Sequence, residues 1–148
     1  MSNMEPDDRR KAQQLITMRI IWGALLMGPL MFLVVILILF RQGSGLNAGF
    51  NVQLFQMVCV AAVAGAVVMS YIVRKVIYGA ANESGAIAMA KYSSGNIVFW
   101  ALNEGAAFFA LVCMLLHGQA LPFLALALIP MANNLVNFPS GAPVEGRK

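Results

Sequence analysis

Residues 20–40 read Ile-Ile-Trp-Gly-Ala-Leu-Leu-Met-Gly-Pro-Leu-Met-Phe-Leu-Val-Val-Ile-Leu-Ile-Leu-Phe, between Arg19 and Arg41, with no ionisable side chain inside. A hydrocarbon core about 30 Å thick is crossed by roughly 20 helical residues. These 21 residues therefore read as a membrane-spanning helix, and the rest of the chain repeats the pattern. Val52 to Val73, Ile97 to Leu116 and Ala120 to Val136 are apolar runs of 22, 20 and 17 residues. Barrel strands would alternate apolar and polar residues over about ten positions; these runs are apolar on every side. The expected fold is all-α: an integral membrane four-helix bundle over residues 20–136, with tails at 1–19 and 137–148.

Composition agrees with the runs. The chain has 148 residues, of which 60% are hydrophobic and 11% charged, against roughly 45–50% apolar and about 25% charged in a soluble domain. No remaining segment is long enough for a separate soluble domain. The first run is too long for the apolar region of a secretory signal, and no small-residue cleavage pattern follows Arg41, so it reads as an uncleaved anchor. No lipid-attachment pattern is present.

Basic residues assign the sides. Of the ten Lys and Arg, nine fall in the first tail, the loop after Val73 and the last tail, and only Arg41 falls on the opposite side. The positive-inside rule then places both termini in the cytoplasm, at the inner (plasma) membrane of a bacterium. Ten basic against six acidic residues are read as loops facing cytosol and anionic lipid, not as a nucleic-acid surface. The expected partners are the lipid bilayer, a second copy of the chain or another membrane protein.

Chemistry-bearing clusters are scarce. The single His, His117, lies in an external turn, and Cys59 and Cys113 sit inside apolar runs, so neither a nucleophile with its base nor a His/Cys metal set is spaced for work. No phosphate-cradling Gly-Lys motif occurs, and Gly43-Ser44-Gly45 reads as a flexible turn. The expectation is no enzyme activity, no cofactor and no metal. Trp22, Trp100, Tyr71, Tyr78 and Tyr92 fall near the inner boundary, where amphipathic rings anchor at headgroups.

Helices in lipid associate through small residues and interhelical hydrogen bonds. Ala24 with Gly28, Ala61 with Gly65, Ala62 with Ala66 and Ser70, and Ala101 with Gly105 supply small surfaces, read as faces turned into the bundle. Gly28-Pro29 and Pro130 interrupt their helices and free backbone carbonyls that need protein partners. The three-residue connection His117-Gly118-Gln119 makes the third and fourth helices antiparallel neighbours.

One carboxyl lies inside a span. Glu104 falls near the middle of the third run, where a charge costs about 2.5–3.5 kcal/mol on insertion scales. It must be protonated, paired or turned to a polar interior. No Arg or Lys lies within a span to pair with it, so the neutral acid is expected. Asn103 adjoins it, and Asn133 and Asn134 on the antiparallel fourth helix share its depth; Ser70 and Tyr71 are more distant. Two readings stand: Glu104 binds a proton or cation, or it donates an interhelical hydrogen bond.

The segment Ala101-Leu102-Asn103-Glu104-Gly105-Ala106, with Leu111-Val112 and Leu115-Leu116, resembles the carboxylate-bearing helix of rotary ATPase proteolipid (c) subunits. That likeness implies that Glu104 binds a translocated ion. Over its whole length the chain resembles the uncharacterised small four-span bacterial membrane proteins that carry an Ala-Leu-x-Glu-small segment in their third helix. That likeness implies a fold without an activity.

Overall fold

A computed structural model describes residues 6–43, 49, 51–79 and 86–145. Its elements are α1 (Pro6–Arg41), α2 (Val52–Tyr78), α3 (Met89–His117), α4 (Phe123–Val136) and the single turn α5 (Ala142–Glu145). Every regular element among the described residues is helical. Ser44 and Gly45 of the expected outer turn, Ser84 of the second loop, and Arg147 and Lys148 lie outside the described residues.

The helix ends follow local chemistry. Proline is favoured in the first helical turn, where its missing N–H costs nothing, and α1 opens on Pro6. Asn51 caps α2, its side chain accepting from the Leu54 N–H at 3.2 Å, which satisfies one of the free donors of the first turn. Gly118 closes α3 with φ 68°, its N–H returning to the Met114 carbonyl at 3.1 Å. That left-handed conformation is one glycine adopts at little cost.

Three helices, α1, α2 and α3, are long and apolar enough to cross a membrane. The fourth differs from expectation. Its run of 17 residues yields a helix of only 14, about 21 Å long and shorter than a hydrocarbon core. The Asn137 carbonyl accepts from the Trp100 indole at 3.0 Å, and the Pro143 carbonyl accepts from the Ile87 N–H at 2.9 Å. The chain after α4 thus runs back beside α3, non-helical over residues 137–141 before the single turn of α5. Pro139 and Gly141, in this non-helical stretch, are buried.

Residues 6–19 continue α1 as helix, and residues 137–145 are docked on the bundle. Gly141, at φ +85°, rests on Leu15, whose Cδ1 lies 2.9 Å from where a Cβ would stand. Leu15, Ile87 and the C-terminal segment consequently meet at one end of the bundle.

α3 is the central helix. Half of its apolar window is buried, against 11% for α1 and 17% for α2, and it packs on each of the other helices. The α3–α4 antiparallel pairing is as expected. Among the described residues α1 and α2, though consecutive, do not pack on each other; both lean on α3. Two apolar clusters fill the bundle. One gathers Ile36, Cys59, Val63, Leu111, Cys113, Met114 and Phe123; the other gathers Met18, Tyr92, Phe99 and Trp100. A polar layer lies between them at the depth of Asn103.

The small-residue surfaces divide unevenly. Gly28 is in tight contact with α3, whereas Gly65 and Gly105 have nothing within 4 Å of where a Cβ would stand. Ala61, Ala62 and Ala101 are exposed. The expectation that these stripes turn inward holds for Gly28 and Ser70 and fails for Ala61 with Gly65 and for Ala101 with Gly105.

Candidate functional site

The polar layer is built from three helices. On α3, Asn103 is fully buried; its Nδ2 donates to Ser70 Oγ on α2 at 3.0 Å and to the Phe99 carbonyl at 2.8 Å. Asn133 on α4 donates through Nδ2 to Asn103 Oδ1 at 2.9 Å and accepts from the Tyr71 hydroxyl of α2. Ser70 in turn donates to the Val67 carbonyl at 2.7 Å. Each amide thus uses both its donor and its acceptor side, which is what a buried amide requires.

The layer continues around the C-terminal end of α4, whose last carbonyls have no helical partner. Asn137 turns its Nδ2 back to the Asn133 carbonyl at 2.8 Å. The Trp22 indole of α1 donates to the Asn134 carbonyl at 2.8 Å, and the Trp100 indole of α3 donates to the Asn137 carbonyl. Asn134 returns a bond from Nδ2 to the Trp100 carbonyl at 3.1 Å. Two indoles expected as headgroup anchors are instead turned inward as caps, and Trp100 is fully buried. At the rim, the Arg74 guanidinium donates to Asn137 Oδ1 at 2.8 Å and lies over the Phe99 ring at 4.1 Å.

Replacing Trp100 by Phe keeps most of the apolar ring and removes the indole N–H, leaving a buried carbonyl without a donor. The expected loss is about 1–2 kcal/mol, read as a lower unfolding midpoint in detergent; Trp22→Phe, at a half-buried position, should lose less. Equal and negligible losses at both sites would show that the α4 end is not held by these bonds.

Glu104 is elsewhere. Successive helical residues point about 100° apart, so when Asn103 faces α2 and α4, Glu104 faces α1. Its Oε1 stands 2.8 Å from the position a Cβ would take at Gly28, and the Phe108 ring, one turn on, lies 3.4 Å from the same point. Phe32 of α1 meets Phe108 at 5.4 Å between centroids. Among the described residues no hydrogen bond or ion pair reaches the Glu104 carboxyl. Gly28 admits the carboxyl to the α1 backbone, and the following Pro29 lacks the N–H that would serve the Leu25 carbonyl.

The structure thus brings Asn103, Asn133, Ser70 and Tyr71 together, places Asn134 against Trp100, and sets Glu104 on another face. The neighbours expected for the acid bond to one another instead. Arg74, Asn137 and the two indoles also belong to the polar layer, which their positions at the ends of apolar runs do not announce; the four-residue spacing of Asn133 and Asn137, repeated by Phe99 and Asn103, is the signal that marks their shared face. Among the described residues no three His, Cys, Asp or Glu side chains converge as a metal set. Among the described residues the His117 Nε2 and the Asn134 Oδ1 are buried without a hydrogen-bond partner.

Comparison with known protein families, with curated proteins and with solved structures finds no match.

Proposed function

We propose that the chain is a multi-pass protein of the bacterial inner membrane, of the small four-span type, with both ends cytoplasmic, and that it acts as a structural or interaction component. The fourth crossing is made by α4 together with the non-helical segment after it. The observation that carries this reading is the separation of the acid from the amides. The Asn103–Asn133–Ser70 layer is spent on hydrogen bonds between helices, and among the described residues no second ionisable group stands beside Glu104. A proton relay or a coordinated cation needs more than one ligand.

Interaction is supported by what remains uncovered. Large apolar side chains of α1 and α2, among them Met31, Val35, Ile38, Met57, Val60 and Met69, are exposed, suited to lipid or to another membrane helix. The stripes at Gly65 and Gly105 are open and permit close backbone approach. In this reading a rotation of the neutral Glu104 side chain, which makes no hydrogen bond among the described residues, lets it donate to the unused α1 carbonyl beside Pro29 and hold α1 against α3.

The second reading, a proton- or cation-binding subunit akin to proteolipids, is favoured by one feature: a carboxyl free of protein partners beside a break in a helix, where an unused carbonyl adds an oxygen ligand. Glu104→Gln separates the two. A hydrogen-bonding role predicts an unfolding midpoint close to wild type, because the amide also donates, with no dependence on sodium in either protein. Ion binding predicts carbodiimide labelling of Glu104 that sodium or high pH suppresses, and a sodium-dependent stabilisation that the Gln variant loses. That second pattern would displace the structural reading.

A further inference from the structure

Where α2 ends, the docked C-terminal segment leaves a cavity of about 220 Å³ of mixed character, with Arg74, Tyr78, Tyr92, Asn96, Asn137 and Ser140 beside the apolar Phe138 and Pro143. A second, mainly apolar hollow of about 390 Å³ shares Arg74 and Tyr78 and adds Tyr71, Lys75, Gly79 and Ile87. Lys91 from α3 reaches across the end of α2, its Nζ lying 3.4 Å from where a Cβ would stand on Gly79. Arg74 therefore lines both hollows, Lys75 lines the second, and Lys91 stands beside Gly79 at its edge.

The hydrogen bonds leave this charge unmet. A guanidinium carries five N–H donors in a fixed fork. One Arg74 nitrogen donates to Asn137 Oδ1, and the Phe99 and Tyr71 rings at 4.1 and 5.2 Å hold its plane. Among the described residues no other partner takes its remaining donors, and no acid pairs with Arg74, Lys75 or Lys91. Helix C-termini do favour cations, and the ends of α2 and α4 both lie here. Each such end is worth about −0.5 charge, roughly −1 together against three positive side chains. Among the described side chains this leaves a surplus of about two positive charges, which with a pre-oriented guanidinium and phenol, amide and hydroxyl groups beside it matches the charge and acceptor geometry of a phosphate group.

We propose that these hollows bind a phosphate-bearing anion, gripped by the free edge of Arg74 and flanked by Lys75 and Lys91. The chemistry is shared by two sources, an anionic phospholipid headgroup and a soluble phosphate compound. The headgroup source rests on the membrane reading above, since Arg74 and Lys75 stand where α2 leaves its apolar run; the anion chemistry does not rest on it. The Tyr78–Tyr92 stack, with centroids 6.0 Å apart, forms a wall that the Tyr92 hydroxyl ties to the Gly141 N–H at 3.3 Å. An occupied site thereby also steadies the docked C-terminal segment.

The test uses the full chain in neutral detergent, with phosphatidylglycerol, phosphatidylcholine and inorganic phosphate as separate probes, reading bound lipid and the unfolding midpoint. Retention of phosphatidylglycerol over phosphatidylcholine, with a raised midpoint and little response to inorganic phosphate, supports the headgroup source. Stabilisation by millimolar inorganic phosphate, with no preference between lipids, supports a soluble phosphate and overturns the headgroup source, as does partition of the protein into the aqueous phase on detergent phase separation. Arg74→Gln should weaken binding of the effective probe about tenfold. Lys91→Gln, at the rim and outside the apolar clusters, should weaken it about fivefold and reads the site even where Arg74→Gln misfolds. No preference for any probe, or Lys91→Gln and Arg74→Gln proteins that bind as wild type does, overturns the proposal.

Discussion

Asn103→Ala is expected to cost the bundle about 2–4 kcal/mol, the largest loss at any polar position in the structure. The side chain is fully buried, bonded to its own helix at Phe99, to α2 at Ser70 and to α4 at Asn133. Interhelical hydrogen bonds in membranes average about 0.6 kcal/mol and reach about 1.7, so two of them account for roughly 1–3 kcal/mol. The remainder comes from the cavity left in a packed layer and from the Asn133 amide, which is stranded when Asn103 Oδ1 is removed. Asn103→Leu separates volume from polarity: it refills the space yet still strands Asn133. Unfolding in mixed detergent micelles, followed by tryptophan fluorescence, measures both. If leucine proves as stable as wild type, the layer is held by packing and the hydrogen-bond account fails.

Gly28→Val is the second large effect, with an expected loss of about 1–3 kcal/mol from overpacking and a displaced α1. A single Cβ at Gly28 would already stand 2.8 Å from Glu104 Oε1 and 3.4 Å from the Phe108 ring. Gly28→Ala is tolerable, because the carboxyl is the end of a flexible side chain and can withdraw. Valine adds two methyls on a stiff χ1, and the Phe108 ring, wedged against Phe32, cannot follow. In the Gly28→Val background Phe108→Ala should recover the larger part of the loss, and Glu104→Ala the smaller part that the carboxyl contact contributes. Residues in contact commonly show coupling of about 0.5–3 kcal/mol. A four-protein cycle with additive effects would show that Gly28 and Glu104 do not meet.

Both experiments bear on residues that the linear chain brings into view unequally. The polar layer is largely legible there: in an antiparallel pair joined at Gly118, Asn103 and Asn133 fall at equal depth, and Ser70 lies near the C-terminal end of its run. The acid's surroundings are not. Asn103 and Glu104 are adjacent in sequence and near each other in depth, and only the packing of α1 on α3 decides which faces the amides. Arg74 reads as the marker of a span's end, and the structure places it at the edge of the polar layer with Phe99 and Asn137. The segment after Val136 reads as a tail, because Pro139, Ser140 and Gly141 have little apolar area to announce that they dock.

The sequence by itself determined that four helices form and in what order, since a run of about 20 apolar residues without charge reads as helix, but not where they end: α1 runs 36 residues and α4 only 14. It also determined the pairing of α3 with α4, because three residues leave the chain no other neighbour to reach. Only the tertiary structure decided that α3 is central, that α1 and α2 avoid each other, that Gly28 is covered while Gly65 and Gly105 stay open, and that Glu104 meets α1. The reason is physical. In water a buried face is marked by its greasiness, but where lipid and neighbouring helices are equally apolar, every face of a helix looks alike until shape and hydrogen bonding choose among them.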